Sequence, residues 1–145
     1  MASTHVAHDC LVGDHVTIAN CTQLAGHVEI DDFAILGGFT GIHQFCRIGK
    51  NVISGVGSVI LADVPPYITV MGNTAKPYGV NKEGLKRNKF NSDVILALKN
   101  AYKILYRSGL SLPQALDKIQ ETHGDLDEIN YFIDFIKKSK RSIVR

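Results

Sequence analysis

Val6, Val12, Ile18, Leu24, Ile30, Leu36, Ile42 and Ile48 place an aliphatic residue at every sixth position, and Ile60 resumes the row after Ser54 breaks it. A second row two positions ahead, Cys10, Val16, Thr22, Val28, Ala34, Thr40, Cys46, Val52 and Ser58, is mostly small or apolar. Glycine often follows the aliphatic residue, as in Val12-Gly13, Leu36-Gly37 and Ile48-Gly49. A spacing of six matches neither the 3.6-residue period of a helix nor the alternation of a long strand. Such a chain hides its apolar row by stacking on itself. Each hexapeptide then makes one flat side of a solenoid of short strands and turns, with the aliphatic side chain inward. The repeat is already running at His5, so the sequence predicts an entry in mid-solenoid, with upstream coils missing.

The hexapeptide pattern resembles the left-handed parallel β-helix of hexapeptide-repeat acyltransferases, in which three hexapeptides close a coil of about 18 residues. The handedness is implied by that resemblance and not by the spacing. The pattern predicts coils over 1–62 and a connector over 63–80, because Pro65 and Pro66 remove backbone donors just past Ile60. A small α-helical domain is predicted over 81–145. Ser92 is the expected N-cap of a helix that turns Val94, Ile95, Leu98, Ala101, Tyr102 and Leu105 inward and stops at Ser108-Gly109. Two more helices are expected, from about Ser111 to Thr122 and from about Asp125 to Lys140.

At 145 residues and 45% hydrophobic content the chain can bury a core. No apolar run approaches the roughly 20 residues of a membrane span, and the N-terminus lacks a signal pattern, so a cytoplasmic protein without membrane insertion is expected. Cys10, Cys21 and Cys46 show no CxxC or zinc-ligand spacing and are read as reduced thiols without a functional role. Residues 1–80 carry three basic and six acidic side chains, and residues 81–145 carry thirteen and eight. The basic segment falls on expected helices with no recognised motif, which argues against nucleic-acid binding.

With a period of 18, residues n, n+18 and n+36 stack in columns about 4.8 Å apart. His5 then lies under Gln23 and Gly41, His8 under Gly26 and Gln44, Asp9 under His27 and Phe45, and Ala7 under Ala25 and His43. Four of the six histidines are thereby expected on one corner. Such a corner suits a proton-accepting base with polar substrate contacts. Converging imidazoles equally suit a zinc ion. His15 and His123 are expected at the surface elsewhere.

The segments His5-Val6-Ala7-His8-Asp9-Cys10, Leu24-Ala25-Gly26-His27-Val28, Gly41-Ile42-His43-Gln44-Phe45-Cys46 and Asp63-Val64-Pro65-Pro66-Tyr67 continue into Gly79-Val80-Asn81-Lys82-Glu83-Gly84-Leu85-Lys86-Arg87. Asn100-Ala101-Tyr102-Lys103 and Tyr106-Arg107-Ser108-Gly109 come next. In order and spacing this resembles the UDP-N-acetylglucosamine O-acyltransferases over essentially the whole chain. The resemblance implies a homotrimer that moves an (R)-3-hydroxyacyl group from acyl carrier protein to the 3-hydroxyl of UDP-N-acetylglucosamine, the first step of lipid A and hence lipopolysaccharide synthesis. It implies no cofactor and no metal. His8 matches the general base, Asp9 its orienting neighbour, and Gly26 the glycine whose N–H holds an oxyanion. His5, His27, His43 and Gln44 match positions lining the sugar nucleotide and acyl chain, and Asn81, Glu83 and Arg87 match nucleotide contacts. Asn88 stands where some relatives have a second arginine. Val56 replaces a glycine near the end of the acyl groove, which implies a shorter acyl chain. Other hexapeptide transferases lack this run of motifs. The alternatives are another hexapeptide acyl- or acetyltransferase, a zinc-dependent γ-type carbonic anhydrase and a non-catalytic trimeric scaffold.

Overall fold

The computed structural model describes all 145 residues. Ten two-residue strands begin six residues apart: β1 (His5–Val6), β2 (Leu11–Val12), β3 (Thr17–Ile18), β4 (Gln23–Leu24), β5 (Glu29–Ile30), β6 (Ile35–Leu36), β7 (Gly41–Ile42), β8 (Arg47–Ile48), β9 (Ile53–Ser54) and β10 (Val59–Ile60). They pair in parallel as β1-β4-β7-β10, β2-β5-β8 and β3-β6-β9. The registers His5↔Gln23↔Gly41↔Val59 and Leu11↔Glu29↔Arg47 carry the chain through 18 residues per coil. The fold is therefore a parallel β-solenoid with three faces.

Inside, Leu24, Ile30, Leu36, Ile42, Ile48 and Ile60 are buried, as are Val28, Ala34, Cys46 and Val52 of the second row. Ser54, which breaks the aliphatic row, is buried too, and its hydroxyl is satisfied by Thr40 Oγ1 at 2.9 Å and by the Gly37 N–H at 3.1 Å. A polar residue survives there because it is paired.

Each corner keeps one residue in the left-handed region. Asp9, His15, Cys21, His27, Phe33, Phe39, Phe45 and Asn51 all have φ between 56° and 66°. An L-residue held so costs roughly 1–2 kcal/mol. From Cys21 to Asn51 the N–H of these residues donates to the preceding coil, as in His27 to His8 O at 3.1 Å and Phe45 to Gly26 O at 3.0 Å. These bonds are the corners' share of the ladder between coils.

The solenoid does not stop at the prolines. Val64 bridges Ile48, and β11 (Ile68–Met71) pairs in parallel with β9, then β12 (Lys76–Val80) folds back antiparallel on β11. The segment expected as a connector thus extends the third sheet. Pro65 and Pro66 stand in a corner whose donor to the preceding coil is the next residue: Tyr67, in the left-handed position at φ 71°, gives its N–H to Lys50 O at 2.7 Å. Gly49 makes room for them: a Cβ there would lie 2.5 Å from Pro66 N.

Four helices complete the chain: α1 (Lys82–Arg87), α2 (Ser92–Arg107), α3 (Leu112–His123) and α4 (Asp127–Lys137). The N-cap of α2 is Asn91, not Ser92, because Asn91 Oδ1 accepts from the Asp93 N–H at 2.8 Å. Ser111 caps α3 with a reciprocal bond to Gln114. Ile95, Leu98, Ala101, Leu105, Leu116, Ile119, Phe132 and Ile133 form their common core, while Tyr102 packs into the solenoid core. No helix is long and apolar enough to cross a membrane.

Past α4, which ends earlier than its expected Lys140, the chain returns to the solenoid and Val144 buries against it. Asp63, 1% exposed, is the fastening: its N–H donates to Ser142 O at 3.0 Å and its carbonyl accepts from Val144 N at 2.9 Å. Its carboxylate accepts from the Arg47 N–H at 2.9 Å and from the Ser139 hydroxyl. Hydrogen bonds to a charged group are worth about 1.5–3 kcal/mol each. Asp63→Ala is expected to lower the urea unfolding free energy by roughly 2–4 kcal/mol and to expose residues 139–145 to proteolysis before the rest. A variant as stable and protected as the parent contradicts this role.

Candidate active site

The corner between the β1-β4-β7-β10 face and the β2-β5-β8 face carries the polar side chains that the columns predict. The left-handed residue in each turn projects outward, and one coil later its counterpart lies directly beside it. Asp9, His27 and Phe45 therefore form one outward stack, with His27 and Phe45 face to face at 4.6 Å between centroids. His8, one residue earlier, meets His27 edge-on at 5.2 Å.

Within this corner His8 Nδ1 lies 3.0 Å from Asp9 Oδ2, and His27 Nε2 lies 3.7 Å from the same oxygen. The hydrogen bond from His8, and then the charge of His27, hold the Asp9 carboxyl below its usual range. With Asp9 ionised, the Nδ1 of His8 carries the proton and Nε2 keeps the lone pair. Gly26 lies against that edge of the ring: a Cβ on it would come within 2.7 Å of His8 Nε2 and 2.6 Å of Cε1. Such a corner can take a proton from a hydroxyl that approaches the exposed imidazole edge from solvent, beside the Gly26 backbone.

The other expected residues are distributed around the solenoid. His5 and His43 line a groove over the adjoining face with Ala7, Gln23, Gly41 and Leu61. Gln44 is exposed, and its carbonyl accepts from Arg141 Nη1 at 2.8 Å. Asn81 is buried and committed: Oδ1 accepts from the Gly84 N–H as the N-cap of α1, and Nδ2 donates to Asn51 O at 2.8 Å. Glu83 and Arg87 are exposed on α1, which this asparagine fastens to the corner between β8 and β9. Val56, 78% exposed, stands on the third edge, between β9 and β10. One chain thus unites His8, Asp9, Gly26 and His27, and does not bring Glu83, Arg87 or Val56 to them.

A cavity of about 880 Å³ opens beside the corner, walled by Asp9, His27, Glu29, Phe45 and Arg47 and lipped by Lys138, Lys140 and Arg141. Arg47 stacks its guanidinium on Phe135, 4.1 Å from the ring centroid. These cations are missed by sequence reasoning, because the basic C-terminal segment reads as solvated helix surface. Only the return of the strap to Asp63 brings them here. Cys46 lies close by but is inert, burial raising its thiol pKa to about 11.

Fold and corner together define a six-residue-period β-solenoid with a helical C-terminal segment. A family model described as "Udp N-acetylglucosamine O-acyltransferase; Domain 2" matches residues 63–144. The chain belongs to the UDP-N-acetylglucosamine O-acyltransferase family. It is 48% identical over 145 residues to the acyl-[acyl-carrier-protein]–UDP-N-acetylglucosamine O-acyltransferase of Thiobacillus denitrificans, matching all of this chain and 56% of that protein. The solved UDP-N-acetylglucosamine acyltransferase of Francisella novicida superposes with a TM-score of 0.96 at 40% identity, covering 100% of this chain and 53% of the other. That of Moraxella catarrhalis gives 0.93 at 43% identity, covering 98% and 55%. The chain spans a little over half the length of the relatives it matches.

Gly26→Ala is expected to fold, with stability within about 1 kcal/mol of the parent, because the exposed His8 ring can swing away from the new methyl group. The displaced ring releases Asp9, whose pKa rises toward 3.8. A proton-detected titration of Asp9 in parent and variant checks this, and an unmoved Asp9 pKa rejects the contact between Gly26 and His8.

Proposed function

We propose that this chain is a left-handed β-helix acyltransferase that works as a cytoplasmic homotrimer, moving an (R)-3-hydroxyacyl group from acyl carrier protein to the 3-hydroxyl of UDP-N-acetylglucosamine. The observation that carries this reading is the His8–Asp9 pair poised against Gly26, in a chain of this family.

In the proposed reaction His8 Nε2 takes the proton of the sugar 3-hydroxyl as its oxygen attacks the thioester carbonyl carbon. The negative charge moves to the carbonyl oxygen, which the Gly26 N–H holds. Collapse re-forms the carbonyl and breaks the carbon–sulfur bond, and the departing thiolate takes the proton back from the imidazolium. Ester and free thiol result, with no cofactor and no metal. A positioned base contributes roughly 10²–10⁴ in rate and one oxyanion donor about 10²–10³.

His5, His27, His43 and Gln44 then face the sugar nucleotide and acyl chain. Glu83 and Arg87 meet the nucleotide from a second copy, since in one chain they hang on a different edge from His8. Arg87 suits a phosphate because a guanidinium forms paired, charge-assisted bonds. Asn81 contributes by fixing α1, and Val56 by closing the acyl groove. This chemistry is that of the first step of lipid A synthesis.

His8→Ala, compared with the parent at matched trimer content, is expected to lower kcat for acyl transfer by ~10²–10⁴. Transfer at the parent rate rejects the base. Val56→Gly is expected to shift the maximum of kcat/KM toward longer hydroxyacyl donors. An unchanged chain-length profile, or a parent already fastest with the longest donors, removes Val56 from that role.

A further inference from the structure

His8, Asp9 and His27 each offer one metal-ligating atom, and these atoms all lie within 4.8 Å of one another. Asp9 Oδ2 stands 3.0 Å from His8 Nδ1 and 3.7 Å from His27 Nε2. A tetrahedral zinc ion with bonds of about 2.0–2.2 Å separates its ligand atoms by roughly 3.3–3.6 Å, so both spacings are within a few tenths of an ångström of what an ion would impose. The donors are also held in place. The His27 N–H is bonded to His8 O at 3.1 Å, Asp9 and His27 both occupy the left-handed corner position, and Phe45 backs the His27 ring. All three side chains face solvent, leaving a fourth position open. Two imidazoles and one carboxylate form a donor set suited to Zn²⁺ or Co²⁺ rather than to Mg²⁺ or Ca²⁺.

We infer that His8, Asp9 and His27 bind a transition-metal dication, and that the bound ion silences His8 as a base. The ion is a competitor of the proposed reaction and not its cofactor. His8 Nδ1 can serve only one partner. When it donates to Asp9, the proton sits on Nδ1 and the Nε2 edge beside Gly26 is an acceptor. When it ligates a metal, Nδ1 supplies its lone pair and the ring proton moves to Nε2, which then donates where the reaction needs an acceptor. The binding half stands on the geometry alone, while the silencing half rests on the base assigned above.

Chelator-treated protein titrated with Co²⁺ tests the binding half. Visible absorption of a four- or five-coordinate ion, saturating at one per chain and displaced by Zn²⁺, is expected. Affinity is expected to fall by at least about 10–100-fold in His27→Ala and in Asp9→Asn, since losing even a group that only supports a ligand costs that much. Bands unchanged in His27→Ala, no visible bands, or a near-ultraviolet thiolate band that puts the ion on a cysteine overturns the site. For the second half, imidazole ¹⁵N shifts with Zn²⁺ bound are expected to show His8 protonated on Nε2, and Zn²⁺ is expected to inhibit transfer at the concentration that fills the site. Retention of the Nδ1 proton, or full activity with the site filled, overturns the silencing. A protein inactive with and without metal counts against the transfer reading alone, and the absorption and ¹⁵N measurements still decide the site and the tautomer.

Discussion

From Asp9 to Asn51 every corner of the solenoid holds a side-chain-bearing residue in a backbone region that such residues avoid, and the parallel ladder between coils is what keeps it there. One left-handed residue costs roughly 1–2 kcal/mol, about what one or two hydrogen bonds return. The balance is favourable because the inner strands, β4 to β7 and β9, are bonded to the coil above and the coil below. The rest of the molecule depends on that ladder: the apolar column stays inside, the corner side chains fan outward in register, and His8 sits one rung from Gly26.

That dependence explains what the sequence makes legible. The six-residue row of aliphatic residues gives the coil, and the 18-residue offset gives the columns, so the neighbours of His8, Asp9 and His27 emerge from counting. Counting fails where the chain departs from the repeat. Pro65 and Pro66 read as a stop, yet the Tyr67 N–H beside them keeps the corner bonded to the preceding coil, and Gly49 one coil earlier leaves the two rings room. The strands on either side of Gly72 are short and lack the row, so the periodicity gives no sign of them. The N-cap of α2 falls on Asn91 and not Ser92, since both residues suit a cap and only the backbone decides between them.

The candidate site divides along the same line. Residues whose positions are set by the repeat, Arg47 among them, come together, whereas Lys138, Lys140 and Arg141 join them only through a strap that closes across about two thirds of the chain. Arg141 reaches the Gln44 carbonyl across 97 positions, a contact that no local spacing encodes. Asn81 illustrates the opposite case. It belongs to a recognisable motif, but its amide is spent on Asn51 and Gly84, so the motif marks how α1 is moored to the solenoid.

The 18-residue coil also sets an arithmetic for how such a chain can change length. Adding or removing one whole coil slides everything beyond it by about 4.8 Å along the axis and leaves each side chain on its own edge. Six residues instead rotate all later coils onto the next edge, separating a histidine from its carboxylate without unfolding either. One or two residues throw the apolar row out of phase unless a corner absorbs them, as the stretch between Ile60 and Val64 does: Ile60 pairs with Ile42, 18 positions earlier, whereas Val64 bridges Ile48, only 16 positions earlier. Insertions and deletions in this lineage are therefore expected in coil-sized steps, or else confined to corners.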